Sequence, residues 1–218
     1  MTKTDSQLKQ DIETELRWEP RINAAQIGVS VDQGAVALTG AVDTYAEKWA
    51  AEDAIKRVAG VRAVAEDLTV KLQGRHKHSD AKIAQAALSI FGWNVEIPEE
   101  VTVKVQQGQV TLEGQVAWNY QRDAAEHSIR NLIGVVSVVN AITIKGSASA
   151  TQVKESIQAA LQRQATTDAN SIEIDTAGGT VTLSGKASTW HAIEDAARAA
   201  WAAPGVTQVL DNIHIGGY

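Results

Sequence analysis

The sequence predicts an α+β protein of three tandem αββαβ modules, each a three-stranded mixed sheet packed against two helices. Three observations predict it. The phrase GAVALTG, from Gly34 to Gly40, returns as GQVTLEG from Gly108 to Gly114 and as GTVTLSG from Gly179 to Gly185. A second glycine follows the end of each phrase by 20 residues, at Gly60, Gly134 and Gly205, and a valine comes next every time. Eight residues beyond that glycine stands an apolar residue: Leu68, Ile142 and Ile213. Landmarks at fixed spacing in successive copies are the signature of a tandem repeat.

Each copy opens on a helix with apolar residues at i, i+4 and i+8, such as Leu8, Ile12, Leu16 or Val153, Ile157, Leu161. Ser79 is placed to cap the second copy's helix, and Ser149 with Gln152 has capping-box spacing in the third. An alternating strand follows: Ile27, Val29, Val31; then Val101, Val103, Val105; then Ile172, Ile174. A glycine-containing turn leads into a second strand in which Val36 and Leu38, Val110 and Leu112, or Val181 and Leu183 share one face. Gly40, Gly114 and Gly185 are expected to end that strand. The second helix buries a narrow stripe: Ala51, Ile55, Val58; Ala125, Ile129, Leu132; Ala196, Ala200, Ala203. Gly60, Gly134 and Gly205 are expected as its C-terminal stops. A third strand closes each unit, Val64 to Val70, Val138 to Ile144 and Val209 to Ile215, parallel to the second as a strand–helix–strand crossover demands.

The expected modules are residues 1–72, 78–145 and 149–218, joined by the polar stretches LQGRHKHSD and KGSASAT. Modules of this size lie near the lower limit for an independent core, so they are expected to pack on one another or to form a homo-oligomer.

Charge and composition narrow the function. The net charge is −6, with 20 basic against 26 acidic side chains. Lys and Arg against Asp and Glu count 9 to 12 in residues 1–72, 5 to 7 in 80–145 and 4 to 7 in 146–218. Only the stretch 73–79, with Arg75 and Lys77, is positive. No basic face is gathered, so nucleic acid is not an expected partner. There is no cysteine, which removes disulfides, thiolate metal sites and cysteine nucleophiles. No apolar run has the length of a signal peptide core or a membrane span, so no transmembrane segment and a cytoplasmic location are expected.

The repeat resembles the BON domain, named for bacterial osmotically induced and nodulation-associated proteins. GVVSVVNAITIK, from Gly134 to Lys145, carries the likeness best, and GVTQVLDNIHI, from Gly205 to Ile215, is similar. GVRAVAEDLTV, from Gly60 to Val70, departs from it, with Glu66 and Asp67 where the others carry Asn140 or Asn212. The resemblance covers nearly the whole chain and rests on glycines and valines that serve the fold. It implies non-catalytic binding modules. Envelope relatives contact anionic phospholipid or assist folding and secretion of other proteins, and a cytoplasmic relative with an attached LysM domain binds potassium. No LysM-like segment and no export signal are seen here.

A search for chemistry agrees with a non-enzyme. His76 and His78 have His-x-His spacing in a polar junction, short of the three or four rigid ligands a metal needs. His127 and His191 occupy non-equivalent positions on second helices and are expected to face solvent. Glu52-Asp53 and Glu194-Asp195 are adjacent on helices, about 100° apart, and form no acid/base pair. GxVxLxG is not a phosphate loop, because its glycines flank a strand and no Lys-Ser/Thr follows. No catalytic residues, cofactor or side-chain metal site are assigned.

The aromatic residues carry more. There are six tryptophans and one phenylalanine. Trp49 aligns with Asp123 and Glu194, and Trp201 with Lys56 and Arg130, so both are expected to be exposed. Trp118 aligns with Thr44 and Thr189, and Trp190 with Tyr45 and Asn119, while Trp18 and Trp93 recur at the end of the first helix. Trp118, Tyr120 and Arg122 make the best local cluster. Two readings of these tryptophans stand side by side: packing between neighbouring modules, or contact with a partner. The functional expectation is a binding protein of the bacterial osmotic or envelope stress type. It meets a protein or phospholipid membrane surface through Trp18, Trp49, Trp93, Trp118, Tyr120, Arg122, Trp190 and Trp201. The net negative charge weighs against strong binding to anionic lipid. The alternative is a cytoplasmic potassium-binding protein, its ion held by backbone carbonyls that leave no mark in side-chain identity.

Overall fold

The structure is a computed structural model that describes residues 3–145, 150–163 and 171–216. In the first module, helix α1 (Asp5–Trp18) is followed by β1 (Ile27–Asp32), β2 (Ala35–Val42), α2 (Tyr45–Lys56) and β3 (Ala63–Val70). The second has α3 (Asp80–Trp93), β4 (Thr102–Gln106), β5 (Gln109–Glu113), β6 (Gln115–Val116), α4 (Asn119–Arg130), β7 (Ser137–Asn140) and β8 (Thr143–Ile144). The third has α5 (Ala150–Arg163), β9 (Ile172–Ala177), β10 (Thr180–Ala187), α6 (Trp190–Trp201) and β11 (Gln208–Ile215). The chain divides into two compact units: Met1–Glu113 with Ala124–Ala141, and Gly114–Asp123 with Ile142–Tyr218.

In the first unit the sheets run β1-β2-β3 and β4-β5-β7. The first pair of each is an antiparallel hairpin, with Val31 opposite Val36 and Val105 opposite Val110, and the third strand joins parallel to the second. Alternation places Val36, Leu38, Val110 and Leu112 in the core at near-zero exposure. Helix α1 buries Leu8, Ile12 and Leu16 and packs on β1 and α2, while α3 buries Ile83, Ala87 and Phe91 and packs on β4. Helix α2 buries Ala50, Ala51, Ala54 and Ile55. A stripe so rich in alanine lets a helix approach its neighbours closely, and each fully buried Ile or Leu adds about 1.5–3 kcal/mol.

In the second unit the sheet order is β11-β10-β9, with β11 parallel and β9 antiparallel to the central strand. One core joins Val153, Ile157, Ile172, Ile174, Val181, Leu183, Ala196 and Ala200. The β6–β8 pair is parallel and two residues long, Gln115 opposite Thr143 and Val116 opposite Ile144.

Several expectations need correction. Gly40 and Gly185 do not end their strands; they lie within β2 and β10. Their φ angles are 125° and 124°, and a Cβ there would stand 2.1 Å from the Gln26 carbonyl oxygen and 2.0 Å from that of Ser171. The glycines are needed because the entry to the first hairpin strand passes against the second with no room for a side chain. Gly60, Gly134 and Gly205 lie four residues beyond the last helical residues Lys56, Arg130 and Trp201, so they shape the following turn and do not stop the helix. The helix ends close with short bonds such as Val58 N–H to Ile55 O and Ala203 N–H to Ala200 O. The middle module's closing strand, expected as one run, is two pieces, β7 and β8, interrupted at Ala141 and Ile142. The partner strand is interrupted as well, at Gly114, whose φ is 140°.

Helix caps follow the sequence in part. Thr4 forms a full capping box with Gln7, and Thr44 and Thr189 cap α2 and α6. Ser79 occupies the N-cap position of α3 but makes no side-chain cap hydrogen bond; the neighbouring Asp80 carboxylate reaches instead to the β4–β5 turn. The expected box at Ser149 lies outside the described residues.

Candidate docking surface

The tryptophans fall into two groups. Trp49 and Trp201, expected to be exposed, are half-buried. The Arg130 guanidinium carbon sits 3.7 Å from the centroid of the Trp49 ring, and the His127 ring meets it edge-on at 6.3 Å. In the second unit, Arg122 lies over Trp201 at 4.9 Å, and both Trp201 and Trp190 pack against the third module's core. A charged residue at an equivalent position therefore does not imply exposure, because a guanidinium on an aromatic face lets both be covered at once.

Around Trp49 the first unit closes a cavity of about 160 Å³ lined by Arg21, Glu47, Trp49, His127, Arg130 and Asn131, among others. Burial pulls Arg130 below the usual guanidinium value, opposed by Glu126 at 3.7 Å. Burial, reinforced by Glu126, raises the Tyr45 hydroxyl, which Arg130 counteracts. Arg130 Nε and Nη1 are buried without a hydrogen-bond partner. This cluster joins α2 to the C-terminal part of α4 within the first unit and is spent on packing.

The second group faces solvent. Trp18 is 83% exposed and Trp93 is 89% exposed. They are the last residues of α1 and α3, equivalent places in two modules. Tyr120 is exposed and Trp118 is 38% exposed, while Arg122 is engaged with Trp201 and 3.8 Å from Asp123. His127 is exposed but touches Trp49, and His191 pairs with Glu194 at 3.5 Å. His76 is half-buried in a turn of 3-10 helix, Gly74–His76.

Sequence reasoning missed two members of this surface. Leu88 is exposed, and Val95 is fully so at 102%. The signal was available: α3 buries only Ile83, Ala87 and Phe91, so the run LSIFGWNV holds more apolar side chains than one buried face takes. Together Ser89, Ile90, Trp93, Asn94 and Val95 line an open groove of about 440 Å³. The loop after Trp93 is pinned. Asn94 donates to Ser128 Oγ at 3.3 Å and accepts from the Glu96 amide at 3.0 Å. Ile97 N–H bonds Asn94 O, Val101 N–H bonds Pro98 O, and Ile97 and Val101 are buried. In the first module the corresponding region holds a groove of about 470 Å³ lined by Leu16, Arg17, Ile22, Ala25, Ile27 and Val29, with Glu13 and Ala24.

Among the described residues no group of three or more His, Asp or Glu side chains is placed to hold a metal ion, and no helix is long and apolar enough to cross a membrane. The fold and this surface define a tandem-module protein whose distinguishing feature is an apolar edge tipped with tryptophan. The chain belongs to the BON domain family, whose model matches residues 4–71, 79–146 and 149–217. BON domains are non-catalytic binding domains. Two solved structures are similar to it. One is described as CdsD, a structural protein of the type III secretion system of Chlamydia trachomatis, at 14% identity over 95% of this chain and 91% of the other, with a TM-score of 0.27. The other is described as the C-terminal domain of the same protein, at 13% identity over 96% and 98%, also with a TM-score of 0.27. No curated protein matches the chain.

Proposed function

We propose that this chain is a non-catalytic interaction protein of the bacterial osmotic or envelope stress type that docks on a protein or phospholipid surface through the ends of its first helices. The observation that carries this reading is the near-complete exposure of Trp18 and Trp93 at equivalent positions of two modules. A large aromatic side chain left in water at one site is unremarkable, but its recurrence beside other exposed apolar residues fits an interaction surface. Trp49, Trp190 and Trp201 are half-buried within their own units, and Trp118 is less exposed than Trp18 and Trp93. That separation supports assigning the docking role to Trp18 and Trp93 and a packing role to Trp49, Trp190 and Trp201.

The test is a double variant, Trp18→Ser with Trp93→Ser, compared with the parent in vesicle co-sedimentation and in capture of proteins from a bacterial extract. Loss of binding with an unchanged far-ultraviolet dichroism spectrum is expected. A double variant that binds every surface as the parent does would remove the docking role from these two residues.

A further inference from the structure

We infer that the groove at the end of α3 takes a cationic, apolar segment of a protein partner, such as a basic amphipathic helix, and not an anionic phospholipid surface. This rests on the docking reading above and deepens it for one of the two tryptophans.

The argument begins with local charge. From Ile83 to Val103 the chain contains no Lys or Arg, and it contains Glu96, Glu99 and Glu100. All three carboxylates are exposed, and none has an ion-pair partner among the described residues. They follow directly on the apolar lining of Ile90, Trp93 and Val95. An anionic membrane attracts Lys and Arg near its surface and repels carboxylates over the same range, so Glu96, Glu99 and Glu100 beside the groove disfavour one. The same carboxylates attract a partner whose apolar residues are flanked by Lys or Arg, because complementary charge steers encounter and fixes register.

The first module makes the contrast. Trp18 is flanked in sequence by Arg17, Glu19 and Arg21, a mixed set in which Arg21 pairs with Glu19. That groove has no single sign to select a partner. Among the described residues, it is the second module's groove that is followed along the chain by carboxylates without an intervening Lys or Arg.

Shape agrees. A groove of about 440 Å³ lies within the range of small binding sites, wide enough for one or two apolar side chains of a helix laid across it. Its far wall is preorganised. The Asn94 side chain and the two backbone bonds closing residues 94–101 hold the backbone that carries Val95 and the three glutamates before any partner arrives. Such rigidity reduces the ordering cost of association.

The experiment titrates the full chain with a labelled synthetic helix of Leu and Lys, of about four turns, and with its Leu–Glu counterpart, read by fluorescence anisotropy. The Leu–Lys helix is expected to bind about tenfold tighter or more. Trp93→Ser with Val95→Ser should lose that preference. Replacing Glu96, Glu99 and Glu100 by Gln should weaken binding about tenfold and abolish its salt dependence. Leu210→Ser, which removes an exposed apolar side chain of the third module, should leave it unchanged. Equal affinity for the two helices, or full affinity in the Trp93/Val95 variant, overturns the inference. So does preferential capture of phosphatidylglycerol vesicles through Trp93, an outcome that leaves the docking reading standing. Indifference of every probe to both tryptophans would sink the two together.

Discussion

The carboxylate of Asp5 accepts a hydrogen bond from the amide of Gly34 at 3.2 Å, across 29 residues of chain, and a second from Gln33 at 2.9 Å. Asp80 does the same for Gly108 and Gln107 at 2.9 and 2.8 Å. Both turns put two residues at positive φ, 48° and 80° in one and 53° and 77° in the other, as a two-residue hairpin turn of the primed kind requires. Glycine takes that conformation freely, but a glutamine there costs about 1–2 kcal/mol. The first-turn carboxylate offsets the strain by satisfying both amides, and it ties α1 or α3 to the hairpin. In the third module Ala150 stands where Asp5 stands, and the turn is Gly178-Gly179 with φ of 59° at Gly178. The third module's sequence thus has neither the carboxylate at that position nor the glutamine in the turn.

Asp5→Ala and Asp80→Ala are therefore expected to cost about 1–3 kcal/mol each, because two amides lose their acceptor. Gln33→Gly should recover about 1 kcal/mol and more in the Asp5→Ala background than alone. Urea unfolding of the single and double variants measures the coupling. Strict additivity would mean that clamp and turn are independent.

This clamp shows where the sequence was legible and where it was not. Modules, strand order and core faces followed from period and spacing, because Val36, Leu38 and their equivalents can be buried in only one register. The role of Asp5 was hidden because its partners lie 28 and 29 residues away and are backbone amides, which have no residue identity. Trp49 and Trp201 were misjudged for a related reason. Their cover comes from Arg130 and Arg122, and alignment of copies reports only that charge occurs there. Trp18 and Trp93 were picked out by recurrence alone, while Val95 required knowing which face of α3 was already filled.

Glycine positions separate equally cleanly. Gly40→Ala and Gly185→Ala would each drive a Cβ to about 2 Å from a carbonyl oxygen at a φ that L-residues avoid, and a cost of several kcal/mol is expected, more than the roughly 1 kcal/mol of an ordinary substitution. Gly92 is the control. It lies in α3 with nothing within 4 Å of an added Cβ and has no positive φ. Gly92→Ala should raise stability by about 0.5–1 kcal/mol. Thermal unfolding of the three variants distinguishes a structural requirement from mere recurrence, and a Gly40→Ala protein of parental stability would refute the close-approach argument.

Acid should loosen the turn after α1. Arg21 grips the Glu19 carboxylate with two hydrogen bonds, Nε at 2.8 Å and Nη2 at 3.1 Å, and Arg57 adds a third contact at 3.4 Å. Arg21's hydrogen bonds hold Glu19 down from 4.5 to about 2, against a smaller opposing effect of burial. A depressed carboxylate stabilises the fold above its unfolded value and loses that contribution as pH falls from 4.5 towards about 2. Arg21 is more than half exposed, so salt and water screen the effect. Arg21→Gln should flatten the acid limb over that window by lowering stability at neutral pH, modestly because of that screening, while leaving stability near pH 2 little changed. An identical acid limb in the variant would place the loss elsewhere.

The middle module keeps a tryptophan where its neighbours keep a cap. Thr44 accepts the Glu47 amide at 3.1 Å and Thr189 the Ala192 amide at 3.2 Å, each opening a second helix. Trp118 occupies the equivalent place with no side-chain oxygen, and Gln121 Oε1 accepts the Ala117 and Trp118 amides at 3.0 Å each. Removing the indole loses whatever apolar area it buries, at about 25 cal/mol per Å², so both Trp118→Ala and Trp118→Thr should be less stable than the parent. The threonine variant should nevertheless exceed the alanine variant by about 1 kcal/mol, the worth of a restored N-cap. Equal stability of the two in chemical denaturation would show that the start of α4 has a backbone geometry in which a hydroxyl at 118 cannot reach the first turn. A threonine variant above the parent would show that the half-exposed indole contributes less to folding than the cap it displaced, and the retention of Trp118 would then need a cause outside stability.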